Sequence, residues 1–440
     1  MTCPLAGVRV LDFTWVRAGP WATRWLGAFG AEVLKIEWPE RPDTTRAHRY
    51  SVPPDLEPGP NAAGHFNDTN ATKLGLTLNV RSSRGLELVK QLLAHCDIVV
   101  ENFSSRVMEH WGLSYAAMQR IRADIIYVSM AGFGHTGRHH HYTTMGPSAQ
   151  ALSGLTFLSG LPDQPPAGWG WSYLDDTGGM YGAMCALTAL RHRNATGRGQ
   201  YVDLSQMMAG ITLNGPAFLD RTVNGRQARR PGFPPGNRTA WPGVAPLPTY
   251  RGPTVVPHNA YRTKGDGYND WCVLACFSDE EWHKLVCLMG SPAWAVEARF
   301  HGIQGRLQYQ EELDQGIEAW TRTLDKYTLT DTCQAAGVRA MPVQSAADRI
   351  EHDPQLRARG LYSTMEHAVL GRRLIQGVPF HLSQSPAEIS RPAPLLGQHT
   401  RQVMAHLLGL SLDDIRAGYA DGTFWPTQMP LPPYIQESLQ

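Results

Sequence analysis

The feature that most constrains this chain is the alternation, through its first two hundred residues, of short apolar runs with longer amphipathic ones. Residues 8–13 (VRVLDF) read as an apolar strand. WATRWLGAFG, after Ala18-Gly19-Pro20, has the apolar spacing of a helix that stops on a glycine cap. Residues 32–37 (EVLKIE), 97–101 (DIVVE) and 125–130 (IIYVSM) read as further strands, and another extended segment begins at residues 76–78. Residues 82–95 form an amphipathic helix with a serine N-cap. Strands separated by such helices predict an α/β fold, a Rossmann-like doubly wound parallel sheet. Ligands on these sheets bind at the carboxyl ends of the strands, which draws attention to the turns after Phe13, after Glu37 and around Asn102.

A chain of 440 residues exceeds one ordinary core, so a second domain is expected. Residues 180–190 (MYGAMCALTAL) read as a small-residue helix stopped by RHRNATGRG, and the Pro-, Gly- and Arg-rich stretch 224–257 as a long linker. Beyond it, WCVLACF alternates like a strand and DEEWHKLVCLMG reads as a helix. The expected organisation is a large domain over 1–205, a smaller α+β domain over 225–330, and a segment over 335–440 that returns to the large domain.

Charge excludes several partner classes. Lys and Arg total 40 against 39 Asp and Glu, a net charge of +1, so no basic excess exists to hold nucleic acid or an anionic membrane. No run of about 18 apolar residues occurs, and the N-terminus lacks a basic segment followed by an apolar one. The 7 cysteines are odd in number and unpatterned, which fits reduced thiols in a cytoplasmic protein. Cys272 and Cys276 read as core thiols. The His139-His140-His141 tract reads as a solvated loop and not a metal site, because consecutive side chains rarely face one ion. GRQARRPG (225–232) reads as surface linker, and no metal site is expected.

The segment WGWSYLDDTGGMYGAM (169–184) carries two carboxylates where a loop gives way to a glycine-rich helix start. Asp175 or Asp176 is there either as an N-cap or as a carboxylate kept ionised and open to an electrophile. Composition and spacing leave both readings open.

Four blocks in order carry a resemblance: PLAGVRVLDFTWVRAGPWATRWLGAFGAEVLKIE (4–37), NATKLGLTLNVRSSRGLELVKQLLAHCDIVVENF (70–103), IIYVSMAGFGHTG (125–137) and LDDTGGMYGAMCALTALRHRNATGRGQYVDLS (174–205). With a looser stretch at 336–360, they resemble the family III CoA-transferases, the CaiB/BaiF family. The resemblance implies transfer of coenzyme A between carboxylic acids through an acyl-aspartyl anhydride and an aspartyl-CoA thioester. It places the nucleophile on Asp175. It places CoA contacts on Val16, Arg17 and Ala18, on Leu78, Asn79, Val80 and Arg81, and on Asn102 and Phe103. Arg81, with Arg41 or Arg46, would face the phosphates, and Gly178 and Gly179 would let backbone N–H groups approach the oxyanions. CoA and acyl-CoA enter as substrates, with no permanently bound cofactor, and the family forms interlocked dimers, so a homodimer or a heteromer with a homologous subunit is expected.

Arg17 departs from formyl-CoA transferase, which has glutamine there; a guanidinium could pair with a second substrate carboxylate, as in succinyl-CoA. Trp38 stands where arginine is frequent. Trp169, Trp171 and Tyr173 alternate before the nucleophile and line either a pocket or a core face. Two alternatives follow from the same resemblance: an α-methylacyl-CoA racemase, which pairs its aspartate with a histidine, and a non-catalytic subunit of a heteromeric transferase. The stretch TTMGPSAQALSG (143–154) has no such histidine, but His139–His141 lie a few residues earlier.

Overall fold

The computed structural model describes residues 3–159, 165–170, 172–225 and 255–440. The chain divides into two compact units, one made of Met1–Phe157, Ala167–Asn214 and Arg359–Gln440, the other of Leu158–Pro166 and Gly215–Ala358.

The first unit runs β1 (Arg9–Asp12), α1 (Ala18–Ala28), β2 (Glu32–Glu37), α2 (Gly64–Thr69), β3 (Leu74–Thr77), α3 (Ser83–Ala94), β4 (Ile98–Glu101), α4 (Val107–His110), α5 (Tyr115–Ile121), β5 (Ile126–Ala131), α6 (Gly146–Ser153), α7 (Tyr173–Thr196), β6 (Tyr201–Ser205) and α8 (Gln206–Thr212). Its six strands form one parallel sheet in the order β3-β2-β1-β4-β5-β6. Leu11 pairs with Leu34 on one side and Val99 on the other. The apolar runs are continuous because both faces are covered. Leu11, Leu34 and Val99 join Leu88, Val89 and Leu92 of α3 in one core. The alternate residues Val10, Val33, Ile98 and Val128 join Ala22 and Leu26 of α1 and Ala186 and Ala189 of α7 in the other. Strand order reverses between β1 and β4, which opens a crevice at their carboxyl ends.

Two elements differ from the sequence reading. β3 begins at Leu74, two residues early. Helix α7 starts at Tyr173 and continues through RHRNAT to Thr196, ending where Gly197 takes a φ of 71°. The polar stretch is tolerated in a helix; the left-handed glycine ends it.

In the second unit β7 (His258–Arg262), β8 (Trp271–Ala275) and β9 (Arg339–Pro342) form an antiparallel sheet in that order. A helix over Asp279–Leu288, capped by Ser278, packs Trp282 and Leu285 onto it with buried Cys272, Cys276 and Cys333. This is the smaller α+β body the sequence predicts. Pairing of β9 with β8 keeps 339–342 in this unit, past the expected return at 335. The linker reading of 224–257 and the arginine-rich 225–232 fall almost wholly outside the described residues. The first unit resumes with an antiparallel hairpin, β10 (Tyr362–His367) and β11 (Gly371–Gln376). No helix among the described residues is long and apolar enough to cross a membrane.

Candidate active site

The crevice between β1 and β4 is built on buried charge. Asp12, at the end of β1, accepts hydrogen bonds from Thr14 N–H (2.8 Å) and Thr23 Oγ1 (2.7 Å) and pairs with Lys73 (3.0 Å). Burial opposes its ionisation, but Lys73 and Lys35 outweigh burial and hold the carboxyl below its ordinary value. Asp43 pairs with Lys35 (3.2 Å) and accepts from Val16 N–H (3.1 Å). That bond holds Val16 at a φ of 67°, a left-handed conformation that a β-branched residue adopts at a cost of about 1–3 kcal/mol. Asn102, just past β4, clamps the same turn at two points, accepting from Trp15 N–H (2.7 Å) and donating to Trp15 O (2.9 Å). A Cβ at Gly19 would collide with Thr14 and Asn102, so glycine is required there by close approach.

Against this turn lies Asp175, in the first turn of α7. It lines a cavity of about 130 Å³ together with Val16, Arg17, Asn102, Phe103, Gly146 and Gln206. Gln206 Nε2 donates to Asp175 Oδ1 at 3.1 Å. A Cβ at Gly146, the first residue of α6, would run into the Asp175 carboxylate. Burial pushes the Asp175 carboxyl above its ordinary value, and hydrogen bonds from Gln206 and Ser172 pull it part of the way back. Asp176 is held differently. Its Oδ1 lies 2.6 Å from Arg17 Nε, while Arg17 Nη1 reaches Asp68 at 3.3 Å and the guanidinium sits 5.0 Å over the Trp21 ring. One of the two adjacent carboxylates faces the cavity, and the other is neutralised by an arginine.

The expected site residues divide into two groups. Val16, Arg17, Asn102 and Phe103 meet Asp175 around the cavity. Ala18 is buried, with its carbonyl beside Gly179 in the α1–α7 contact. Leu78, Asn79, Val80 and Arg81 follow β3 at the carboxyl edge of the sheet: Leu78 is in the core, Asn79 N–H donates to Thr423 O (2.8 Å), and Arg81 is exposed. None of these four lines the Asp175 cavity.

Other expectations need correction. Arg46 is buried, with Nε and Nη2 each 2.8 Å from a Glu37 carboxylate oxygen and its guanidinium 3.5 Å over Phe66, so it is not available to a phosphate. Gly178 and Gly179 lie beyond the first turn of α7, where N–H groups are committed within the helix; their missing Cβ atoms admit Gln206 and Trp21 instead. Trp169 and Tyr173 are partly exposed, meet at 5.1 Å with their rings tilted by 59°, and line neither the cavity nor a core; Trp171 lies outside the described residues. His139 and His141 are exposed, but His140 lines the cavity.

Gln206, Gly146 and Asp68 escaped the sequence reading. The rule that ligands gather at strand ends could have pointed to Gln206, the residue after β6.

The sequence pattern of CoA-transferase family III matches residues 5–400. The chain is 31% identical to the succinyl-CoA--D-citramalate CoA-transferase of Chloroflexus aurantiacus, over 94% of this chain and 96% of that protein. It is 32% identical to the succinate--glutarate CoA-transferase of Agrobacterium fabrum, over 92% of this chain and 96% of that protein. Among solved structures, a CAIB/BAIF family protein from Brucella suis superposes with a TM-score of 0.80 at 26% identity, covering 92% of this chain and all of that one.

Proposed function

The chain belongs to CoA-transferase family III, and from that premise we propose that it moves coenzyme A from succinyl-CoA to a larger carboxylic acid, with Asp175 as covalent nucleophile. The observation that carries this reading is the half-buried carboxylate of Asp175 in a cavity at the crevice where strand order reverses.

In the first step an Asp175 oxygen attacks the thioester carbonyl, the C–S bond breaks and CoA leaves as thiolate, giving an acyl-aspartyl anhydride. The thiolate then attacks the aspartyl carbonyl, releasing the donor acid and leaving an aspartyl-CoA thioester. The acceptor carboxylate and the thiolate repeat the two steps in reverse. Each step exchanges one activated acyl bond for another, so the sequence closes without ATP. Desolvation supports the role, since it makes the carboxylate a better nucleophile and keeps water from the anhydride. Gln206 Nε2 holds the attacking group in place.

Arg17 supports a dicarboxylic acyl group because it lines the cavity beside Asp175. Asp176 and Asp68 already flank it, so a substrate carboxylate would displace one of them or join as a third partner. Val16, Asn102 and Phe103 would hold the pantetheine end, with Ala18 setting the base of that turn. Leu78–Arg81, at the same edge of the sheet, would take the adenine end, with exposed Arg81 toward the phosphates. A dimer is supported by the apolar residues Met180, Met184 and Leu187 that α7 leaves exposed.

A second reading, two-base epimerisation at the α-carbon, is favoured by one observation: His140 lines the same cavity as Asp175. Incubation with succinyl-CoA, quenching in hydroxylamine and peptide mass spectrometry separates the two. A hydroxamate on Asp175, absent from Asp175→Ala, supports transfer. No adduct, with α-proton exchange into deuterated water, would support epimerisation.

A further inference from the structure

The cavity around Asp175, at about 130 Å³, is small for an acceptor larger than succinate, since pockets that enclose small-molecule ligands run about 300–1,000 Å³. A second cavity of about 520 Å³ adjoins it, and Ser104, Ser105 and His140 line both. It lies against the last pair of strands in the parallel sheet. Tyr127 of β5 is buried there, while its register partner Tyr201, on the edge strand β6, is 38% exposed.

Three tyrosines make one wall of this second cavity. The rings of Tyr127 and Tyr201 lie 5.3 Å apart, and those of Tyr115 and Tyr201 lie 5.9 Å apart. Two of them are fixed through their hydroxyls: Tyr127 donates to Glu101 Oε1 (3.1 Å), and Tyr115 accepts from Gln119 Nε2 (3.1 Å). Rings held in this way give a ligand a large apolar surface at little cost in ordering, and they favour a further ring, offset or edge-on. Charge in the lining is balanced. Arg106 stands with Glu109, and Glu101 accepts from Phe103 N–H, Tyr127 Oη and the Ser129 hydroxyl. There is no excess of positive charge to hold a second carboxylate, unlike the Asp175 cavity, which Arg17 lines.

We propose that this second cavity is the acceptor subsite and that it selects an aromatic monocarboxylic acid, its ring against Tyr115, Tyr127 and Tyr201 and its carboxylate directed past Ser104, Ser105 and His140 to Asp175. The inference rests on the transfer reading and adds the chemical class of the acceptor. Donor and acceptor are then told apart by different walls, a dicarboxylic acyl group by Arg17 and an uncharged ring by the tyrosines. The chemistry is that of transfer. An acceptor oxygen attacks the aspartyl carbonyl, the C–S bond breaks and CoA leaves as thiolate. The thiolate then attacks the carbonyl of the acceptor, and the Asp175 carboxylate leaves.

The test follows transfer from succinyl-CoA to 3-phenylpropionate and to propionate, which lacks the ring, by chromatography of the acyl-CoA products. The wild-type chain prefers 3-phenylpropionate in kcat/KM by at least about 10-fold. Tyr201→Ala lowers that ratio at least about 5-fold, and Tyr201→Phe, which keeps the ring, retains it. Tyr115→Leu, on a different element, lowers the ratio in the same way, so the test does not depend on one variant folding. 3-(4-Carboxyphenyl)propionate, which adds a second charge to the same ring, is a poorer acceptor than 3-phenylpropionate. No preference in the wild type, a ratio unchanged in both Tyr201→Ala and Tyr115→Leu, or a gain from the second carboxylate would each overturn the proposal. Transfer to neither acid while the Asp175 hydroxamate still forms would overturn this proposal alone; loss of the hydroxamate as well would remove the transfer reading beneath it.

Discussion

Arg17 Nε lies 2.6 Å from Asp176 Oδ1, and this pair gives two neighbouring carboxylates different chemistry. Asp176 is neutralised and turned toward α1; Asp175 is left desolvated in the cavity beside Gln206. Sequence spacing cannot separate two adjacent aspartates in one helical turn, but their partners do.

Asp175→Ala is therefore expected to lower kcat for CoA transfer by at least about 10,000-fold, since among the described residues no other carboxylate on the cavity wall can carry the acyl group. Asp176→Asn leaves the nucleophile in place and frees one side of Arg17, so its loss stays within about 100-fold. Transfer followed by chromatography of the acyl-CoA product measures both. Equal losses in the two variants would remove the distinction.

The pH profile tests the same geometry. Burial raises the Asp175 carboxyl, and a nucleophile must be ionised, so the acid limb of kcat/KM lies above the ordinary carboxylate value of about 4. Gln206→Leu keeps the volume and removes a hydrogen bond that favours the ionised form. Its acid limb moves to still higher pH, with the rate recovering at the alkaline end. An acid limb that does not move would show that Gln206 does not act on Asp175.

The parallel sheet is legible in the sequence because its strands are buried on both faces and so read as largely apolar runs, as in DIVVE; EVLKIE carries a charge inside its run because Lys35 is buried against Asp43. The turns after Phe13 and around Asn102 are legible because strand ends converge where strand order reverses; Val16, Arg17 and Phe103 within them are singled out only by the family resemblance. Asp68 is not, because it reaches Arg17 across 51 residues through a helix whose own pattern, GHFNDT, carries no sign of the pairing. Gly146 looks like an ordinary helix start before proline; only the Asp175 carboxylate beside it shows why a side chain is excluded. Arg46 misleads for the opposite reason: a basic residue near a strand end resembles a phosphate ligand until Glu37 is seen to take it.

Substrate choice follows from Arg17. Arg17→Gln removes the charge that a distal carboxylate would meet and also releases Asp176 and Asp68. Expected is a loss in kcat/KM of about 100-fold for succinyl-CoA, with a smaller loss for a monocarboxylic donor such as butyryl-CoA. Parallel losses on both donors would mean that Arg17 only positions Asp176, and the dicarboxylic reading would fail.

Glu101 gives a prediction about stability. Its carboxyl, buried at the end of β4, accepts from Phe103 N–H (2.7 Å), Tyr127 Oη (3.1 Å) and the Ser129 hydroxyl. Burial nevertheless dominates and pushes it up from 4.5 to about 7. His135, linked through Ser129 at 2.7 Å and 3.6 Å from Glu101, is pushed the other way, below its ordinary value, by its own burial. A carboxyl raised by folding contributes stability that is complete below about 4.5 and is lost as pH rises through about 7. Glu101→Gln stays neutral throughout and lacks that slope. The stability of the wild type relative to Glu101→Gln should therefore fall between pH 5 and pH 8, by about 3 kcal/mol at most, as read from urea denaturation at the two values. A constant difference would mean that Glu101 is ionised in the folded protein at both values, held by its three hydrogen bonds despite burial.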